Sequence, residues 1–382
     1  MRHHNSVLHQ VLKLVPWAVF ERLVDEAQAD KHVRRLSTKS QLIALLYGQL
    51  SGAGSLREIE AGLKSHQVRL YHLGTEPAKR STLADANALR PAEVFAALLT
   101  HMIKQAHRGL RRALADTTYL IDSTGLRLDE RSAKWARFSS GVCGAKLHVI
   151  YDPDADCPIF AAVSKANVND ITPAQAMPLE AGATYVFDLG YYDYRWWAKL
   201  DDAGCRIVTR FKKNTPLRLI EELKVPPGSS ILTDRIGFLP ARLSYARCNP
   251  LEHAVREVCV KTDAGKVLRI LSNDLDATAE EIADLYKRRW AIELFFRWIK
   301  QTLKITRFLG VSENAVRIQV AVALMTFMLL RLAQATQSTI KTPLAFARLV
   351  RANLMHRRRL DCLLEPDKPH NRCPDQLVLQ CF

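Results

Sequence analysis

The sequence predicts an α/β protein in which a mixed sheet carries packed helices, preceded by a helical N-terminal domain. Residues 1–110 show helical periodicity with polar start signals. From about residue 116, β-branched and aromatic runs alternate with helical segments, and residues 212–276 hold proline-bounded, strand-like runs. With 48% hydrophobic residues and only 16 Gly and 16 Pro in 382 residues, the composition excludes global disorder.

The N-terminal domain, residues 1–110, is expected to contain short helices. A helix is predicted from Thr38 behind a Ser/Thr start signal, and Gly52 and Gly54 interrupt it. Ser55 and Glu58 fit a capping box that opens the next helix.

The central segment, residues 111–211, predicts the order β-β-β-α-β-α-β. The first strand, residues 117–121, leads into Asp122 and a predicted turn at residues 122–125. The other strands are predicted at residues 143–151, 158–164, 184–188 and 206–211. Alternating strands and helices of this kind predict helices packed on a mixed sheet.

The rest of the chain divides into three parts. Residues 212–276 predict a β-rich insertion, with strand-like runs at 229–232, 242–245, 255–261 and 267–271. A long helix, predicted from Thr278 through Lys300, returns the chain to the core over residues 277–310. Residues 311–382 predict a helical region and a tail, and the apolar run Val320–Leu330 is too short to span a membrane.

The charge indicates a polyanionic partner. The chain has 55 Lys and Arg against 39 Asp and Glu, a formal net charge of +16. Such an excess favours nucleic acid or an anionic membrane. No spanning segment is predicted, and basic residues lie beside the candidate metal-binding carboxylates described below, so we expect DNA and no membrane. Arg34 and Arg35, beside the N-terminal helices, are candidate DNA contacts, although solvated surface charge explains them equally well.

Three carboxylates are placed where a metal-dependent site would need them. Asp122 and Asp188 each follow a predicted strand, and Glu293 lies within the predicted long helix. If the two strands are neighbours, the three can meet in one cleft, and carboxylate oxygens suit Mg²⁺. Each also has a structural alternative, because Asp is favoured before turns and Glu293 could pair with Arg289 or Arg297 four residues away.

The spacing of residues along the predicted long helix favours a catalytic role for these carboxylates. Tyr286, Arg289, Glu293 and Lys300 are separated by three, four and seven residues, which at about 100° per residue places them within roughly 60° of arc. A guanidinium grips phosphate bidentately, an ammonium adds a point charge and a phenol donates or stacks. The apolar residues between them indicate that one flank of this helix packs in a core.

These motifs resemble those of DDE transposases of the insertion sequence four family. The pattern Tyr-x2-Arg-x3-Glu-x6-Lys at residues 286–300 is similar to the YREK signature of that family. The segments at 119–124 and 187–192 resemble its motifs around the first and second catalytic Asp, and residues 45–60 resemble the N-terminal domain of some members. The resemblance therefore covers nearly the whole chain.

The resemblance implies a ribonuclease H-like core and a DNA transposase that cleaves at the inverted-repeat ends of an insertion sequence and joins them to target DNA. Asp122, Asp188 and Glu293 would bind two Mg²⁺ ions, with Mn²⁺ as a substitute, while Tyr286, Arg289 and Lys300 would hold a DNA phosphate. Double-stranded DNA is the implied partner, and a homodimer is expected in the synaptic complex. The expected location is the bacterial cytoplasm, at the nucleoid when bound to DNA.

Hairpin-forming members stack a flipped base on an aromatic residue of the insertion. All six Trp here lie outside residues 212–276, which leaves Phe238 and Tyr245 as candidates. Further candidate DNA contacts are Lys146, Arg210, Lys212 and Lys213, each equally explained as solubilising charge. Two other functions stay open: an inactive, transposase-derived DNA-binding protein and a structure-specific nuclease on the same core.

Overall fold

Helices make up the first part of the chain. The computed structural model describes residues 5–110, 117–241, 248–303, 305 and 307–364. The first helices are α1 Val7–Leu12, α2 Trp17–Glu26, α3 Thr38–Ser51, α4 Leu56–Ser65, α5 Gln67–Leu70, α6 Arg80–Leu89 and α7 Ala92–Leu110. The predicted cap at Ser55 is confirmed, because its hydroxyl accepts from the Glu58 amide at 3.2 Å. The Glu58 carboxylate accepts from the amide of Gly54, one residue before the cap, at 2.8 Å.

Ten strands of the described chain form one mixed sheet. They are β1 Thr118–Leu128, β2 Arg137–Ser139, β3 Val142–Asp152, β4 Cys157–Lys165, β5 Thr184–Phe187, β6 Arg206–Arg210, β7 Arg218–Glu222, β8 Ile231–Phe238, β9 Val255–Lys261 and β10 Val267–Ser272. Their order is β2-β3-β1-β5-β6-β10-β9-β8-β7, with β4 pairing β3 off this path. Strands β1, β5 and β6 are parallel, whereas β3 and β10 pair antiparallel on either side of them. The predicted mixed sheet is confirmed.

The remaining helices cover the two faces of the sheet. They are α8 Ala133–Ala136, α9 Ile171–Ala174, α10 Tyr194–Asp202, α11 Ala279–Arg288, α12 Trp290–Thr302, α13 Glu313–Ala335 and α14 Pro343–Asn353. Alternate residues of β1 enter different cores: Leu120 packs in the larger core with the N-terminal helices and α13, while Ile121 packs in the smaller core with the tryptophans of α10.

The predicted turn at residues 122–125 is wrong. Strand β1 continues through Asp122 to Leu128 because each of these residues has a register partner on β3, from Asp122 opposite Val149 to Leu128 opposite Cys143. This ladder satisfies the backbone groups in an extended conformation, so the polar run does not turn. Asp122 is therefore in the middle of a strand and not at its end.

The insertion is part of the core sheet and does not interrupt it. Strand β10 pairs antiparallel with β6 through Ile270 and Arg210, and β9, β8 and β7 extend the same sheet outward. Strand β8 is longer than the run predicted at 229–232, β7 was not predicted, and the run at 242–245 lies outside the described residues. Hydrophobic patterning did not reveal β7 because all five of its residues are exposed at the sheet edge.

The helix predicted over residues 278–300 is two helices. Helix α11 ends at Arg288 and α12 begins at Trp290, with Arg289 between them. Thr278 caps α11 by accepting from the Glu281 amide at 3.1 Å, which confirms the predicted start.

Helix α13 contains the predicted buried helix. Among the described residues it alone is long and apolar enough to cross a membrane by length and composition, and 83% of its most apolar window is buried inside the protein. It packs against α3 and α7 of the N-terminal region. The N-terminal and C-terminal helices also meet directly, because the amides of Val7 and Leu8 donate to the carbonyls of His356 and Leu354 at 3.0 and 2.8 Å.

A buried ion pair ties the insertion strands to the start of α11. Arg256 on β9 contacts both carboxylate oxygens of Asp234 on β8, at 2.8 and 2.7 Å, and the two side chains are only 6% and 4% exposed. The same guanidinium donates to the carbonyls of Leu275 and Ala277, just before the α11 cap. The insertion therefore helps to hold the helix that leads into Arg289.

We predict that Asp234→Ala lowers the free energy of unfolding by about 3–5 kcal/mol, because it leaves a buried guanidinium without its counter-charge. The matched control is Arg235→Ala on the same strand, which removes the exposed pair with Glu222 and is expected to cost about 1 kcal/mol or less. Urea unfolding followed by circular dichroism measures both. Equal stability of the two variants would contradict the anchoring role.

Candidate active site

The parallel pairing of β1 and β5 brings two carboxylates together. Ile121 is in register with Phe187, so the next residues, Asp122 and Asp188, lie side by side on neighbouring strands. Strand β5 ends at Phe187, and Asp188 caps the 3₁₀ helix Leu189–Tyr191 by accepting from the Gly190 amide at 2.8 Å. The sequence-based condition that the two strands be neighbours is met.

Arg289 connects these strands to the helix that carries Glu293. Its Nη1 lies 3.4 Å from Asp122 Oδ2, and its Nη2 lies 2.5 Å from Glu293 Oε1. Its guanidinium carbon is 5.8 Å from the centre of the Tyr286 ring. The structure thus brings together Tyr286, Arg289, Glu293 and Asp122. Tyr286 lies on α11 and Glu293 on α12, so the junction between the two helices separates them.

Asp122 lies in an environment that favours its protonated form. Burial, together with the neighbouring charges of Asp188 and Glu293, raises the pKa of its carboxyl to about 6. The hydrogen bond from the Ser123 amide, at 2.7 Å, and the charge of Arg289 act in the opposite direction. The site therefore concentrates negative charge that a cation would stabilise.

A fourth carboxylate, Asp170, borders this cluster. It accepts from Ser123 Oγ at 3.0 Å and from Lys146 Nζ at 3.0 Å, and it approaches Gly190 so closely that a Cβ there would lie 3.3 Å from Asp170 Oδ2. The sequence analysis missed Asp170. The available signal was Lys146, which alternates with the fully buried His148 on an otherwise apolar strand and so indicates an acidic partner nearby.

The lysines predicted to contact DNA have different surroundings. Lys300 is half-buried in the last turn of α12, two turns beyond Glu293, where burial lowers its pKa, and it forms no ion pair with any described residue. Lys146 is held by Asp170 and by the Val168 carbonyl, and Lys212 lies 4.1 Å from the centre of the Tyr192 ring. Lys146 therefore has a carboxylate partner, whereas Lys212 is exposed, and both stay predicted DNA contacts.

The remaining predicted residues have the following positions. Arg210 is half-exposed at the end of β6, and Lys213, Arg34 and Arg35 are exposed. Phe238 is half-exposed under the guanidinium of Arg218, 4.9 Å from its ring centre, and Tyr245 lies outside the described residues.

The carboxylates at the site are the residue type that binds a hard metal ion, but their present arrangement does not form a metal site. In the part of the chain that the structure describes, no group of three or more His, Cys, Asp or Glu side chains could hold a metal ion as it stands. Arg289 contacts both Asp122 and Glu293, so its guanidinium is the counter-charge of these two carboxylates in this arrangement. Carboxylate oxygens in such a cluster are nevertheless the ligands that a hard divalent cation prefers.

Fold and site together define a class of protein. A mixed sheet with helices on its faces, two aspartates on neighbouring parallel strands and a glutamate on an adjoining helix are the features of a ribonuclease H-like core with an acidic triad. The predicted fold class is confirmed.

Comparisons with known proteins identify the family. Residues 113–329 match the model of the transposase DDE domain, and residues 3–76 match a domain of unknown function (DUF4372). Transposase y4zB of Sinorhizobium fredii is 39% identical over 296 residues, which cover 76% of this chain and 82% of that protein. A transposase of insertion sequence element IS5377 from Geobacillus stearothermophilus is 30% identical, over 68% and 69% of the two chains.

A third relative, a transposase of insertion sequence element IS4SA from Synechocystis, is 36% identical over 17% of this chain and 20% of its own length. The chain belongs to the DDE transposases, and the predicted insertion sequence four family is confirmed. It is a metal-dependent, DNA-cleaving transposase, and DDE domains generally use divalent metal ions.

We expect Arg289→Lys to reduce DNA cleavage by roughly 10- to 100-fold, because a single ammonium replaces a fork that contacts both Asp122 and Glu293. Binding of uncleaved duplex should change little. The matched control is Arg288→Lys, which alters the neighbouring guanidinium paired with Asp154 at 2.5 Å. A gel assay of cleavage rate compares the variants, and equal rates for wild type and Arg289→Lys would show that the fork is not needed.

Proposed function

We propose that this transposase binds the inverted-repeat ends of an insertion sequence, cleaves the DNA there and joins the freed 3′ ends to target DNA. The observation that carries the proposal is the register of β1 with β5, which places Asp122 beside Asp188 while Arg289 links Asp122 to Glu293. Hydrolysis and strand transfer are both in-line displacements at phosphorus, so one cluster serves both steps.

Asp122, Asp188 and Glu293 are the proposed ligands of two Mg²⁺ ions, with Mn²⁺ as an alternative. When bound, such ions activate the attacking oxygen and stabilise the leaving oxygen of a phosphodiester displacement. The hydrogen bond from the Gly190 amide orients Asp188, and the Ser123 amide does the same for Asp122. These backbone contacts hold the ligands without adding competing charge.

Tyr286, Arg289 and Lys300 are the proposed phosphate contacts. Arg289 Nε is buried and has no hydrogen-bond partner among the described residues, so this guanidinium keeps a donor for an incoming oxygen. The half-buried Lys300 also lacks an ion-pair partner there and adds a point charge farther along α12. A phosphate between these groups would satisfy donors that the protein leaves unsatisfied.

The proposal includes a homodimer that holds two DNA ends together and a location in the cytoplasm, at the nucleoid when bound to DNA. The two other functions considered from the sequence predict different products. A DNA-binding protein without activity would bind the ends and leave them intact. A structure-specific nuclease would cleave them but would not join them to target DNA.

Asp188→Ala and Glu293→Ala should each abolish cleavage of an end duplex in Mg²⁺, because each removes a proposed ligand. The control is Asp202→Ala, an exposed carboxylate at the end of α10, which should cleave at the wild-type rate. Denaturing gels detect cleavage, and a plasmid target detects joining. Cleavage that survives either substitution would exclude the carboxylate assignment, and cleavage without joined product would favour the nuclease.

Asp188→Cys should be inactive in Mg²⁺ and regain activity in Mn²⁺, because a thiolate binds the softer ion better. Asp188→Ala, which offers no ligand, should stay inactive in both ions. The measurement is the ratio of cleavage rates in the two ions at equal protein concentration. A ratio for Asp188→Cys no greater than that for wild type would mean that residue 188 does not bind the metal.

A further inference from the structure

A cleft of about 740 Å³ separates the N-terminal helices from the catalytic core. Its walls are the beginning of α4, the first turns of α6, the end of β1 and the segment that follows α12. Five arginines line it, namely Arg57, Arg80, Arg127, Arg131 and Arg307. None of these positions belongs to the carboxylate site, and the sequence analysis did not assign the cleft a function.

The positive charge of the cleft is largely uncompensated. Only two acidic residues, Asp85 and Asp129, are among its lining residues, and Asp129 pairs with Arg131 at 2.8 Å. The other four arginines form no ion pair with any side chain in the described ranges, and all five are exposed. Guanidinium groups gathered around one opening repel each other, so this arrangement is stabilised when an anion enters.

The position of the cleft along β1 relates it to the catalytic carboxylates. Arg127 follows Asp122 by five residues in an unbroken ladder with β3, a separation of about 17 Å along the strand. Leu128, which also lines the cleft, follows Asp122 by six residues, so the cleft includes the face of β1 that carries Asp122. The separation along the strand keeps the cleft distinct from the carboxylate cluster, yet within the length of a DNA duplex bound there.

We propose that this cleft binds the sugar-phosphate backbone of duplex DNA about five base pairs from the position of cleavage, given a rise of about 3.4 Å per base pair. The proposal rests on the proposed function, which places the cut at Asp122. Arginine forks donate bidentately to phosphate oxygens, and backbone contacts of this kind fix register without reading bases. The cleft thereby sets the position of the duplex relative to both the N-terminal helices and the catalytic core.

The test compares Arg80→Ala/Arg127→Ala/Arg307→Ala, with one substitution from each of three walls, and wild type. Affinity for an end duplex that extends 15 base pairs to each side of the cleavage position is measured by fluorescence anisotropy, without divalent cations, at several salt concentrations. The triple variant should bind more weakly, and its slope of log K against log salt should be smaller in magnitude by about 2.7, at 0.9 per lost phosphate contact. A duplex cut back to three base pairs on each side should bind both proteins equally.

Two further variants serve as controls. Replacement of the same arginines by lysine should restore most of the salt slope, because the point charges remain. Arg22→Ala/Arg317→Ala/Arg359→Ala removes the same charge from exposed sites outside the cleft and should keep the wild-type slope. Unchanged thermal melting of each variant verifies folding.

The outcomes separate the cleft from the proposed function. If wild type cleaves but the cleft variant keeps its affinity and salt slope, or the control triple loses as much, the cleft proposal is overturned and the function stands. If the short duplex loses affinity equally, the placement five base pairs away is overturned. If wild type fails to cleave while the cleft variant loses the slope on the long duplex alone, the cleft is retained and the proposed function fails.

Discussion

The parallel pairing of β1 with β5 is the constraint on which the rest of the site depends. One shift of this register would move Asp122 to the opposite face and away from Asp188, because side chains alternate along a strand. Strand β3 pairs with β1 on one side and β6 pairs with β5 on the other. The two apolar residues before each aspartate enter different cores, Leu120 and Val186 the larger one and Ile121 and Phe187 the smaller one. The packing of these apolar residues thus fixes the positions of Asp122 and Asp188.

Arg289 is the second element of that arrangement, because its positive charge compensates carboxylates that are largely removed from water. Removing carboxylates from water is costly unless they are paired, and Asp122 is close to two others. The guanidinium compensates two of them from the junction of α11 and α12, where the chain leaves regular helix. Lys146, on the neighbouring strand β3, compensates the negative charge of Asp170 in the same way. Each acid near the site therefore has its own cation or backbone donor.

Much of this could be predicted from the sequence, and the misses share a physical cause. Runs such as residues 184–187 and the spacing of Tyr286, Arg289 and Glu293 are local signals, and they correctly predicted a strand and a shared position. The turn expected after Ile121 failed because a tertiary ladder with β3 overrode the turn preference of Asp-Ser-Thr-Gly. Asp170 was missed because its partner Lys146 is 24 residues away in the sequence. Strand β7 was missed because its residues are exposed and only the pairing with β8 defines it.

The contact between the two ends of the described chain has a consequence for biosynthesis. The amides of Val7 and Leu8 are bonded to carbonyls beyond α14, and α13 supplies the surface on which α3 and α7 pack. At about 5–20 residues per second, a ribosome needs some tens of seconds to deliver those last helices after the first have emerged. During this interval the N-terminal helices can pack on one another, but the surfaces of α3 and α7 that contact α13 lack that partner. Packing of the N-terminal helices on α13 is therefore completed only after α13 and the segment beyond α14 have been synthesised.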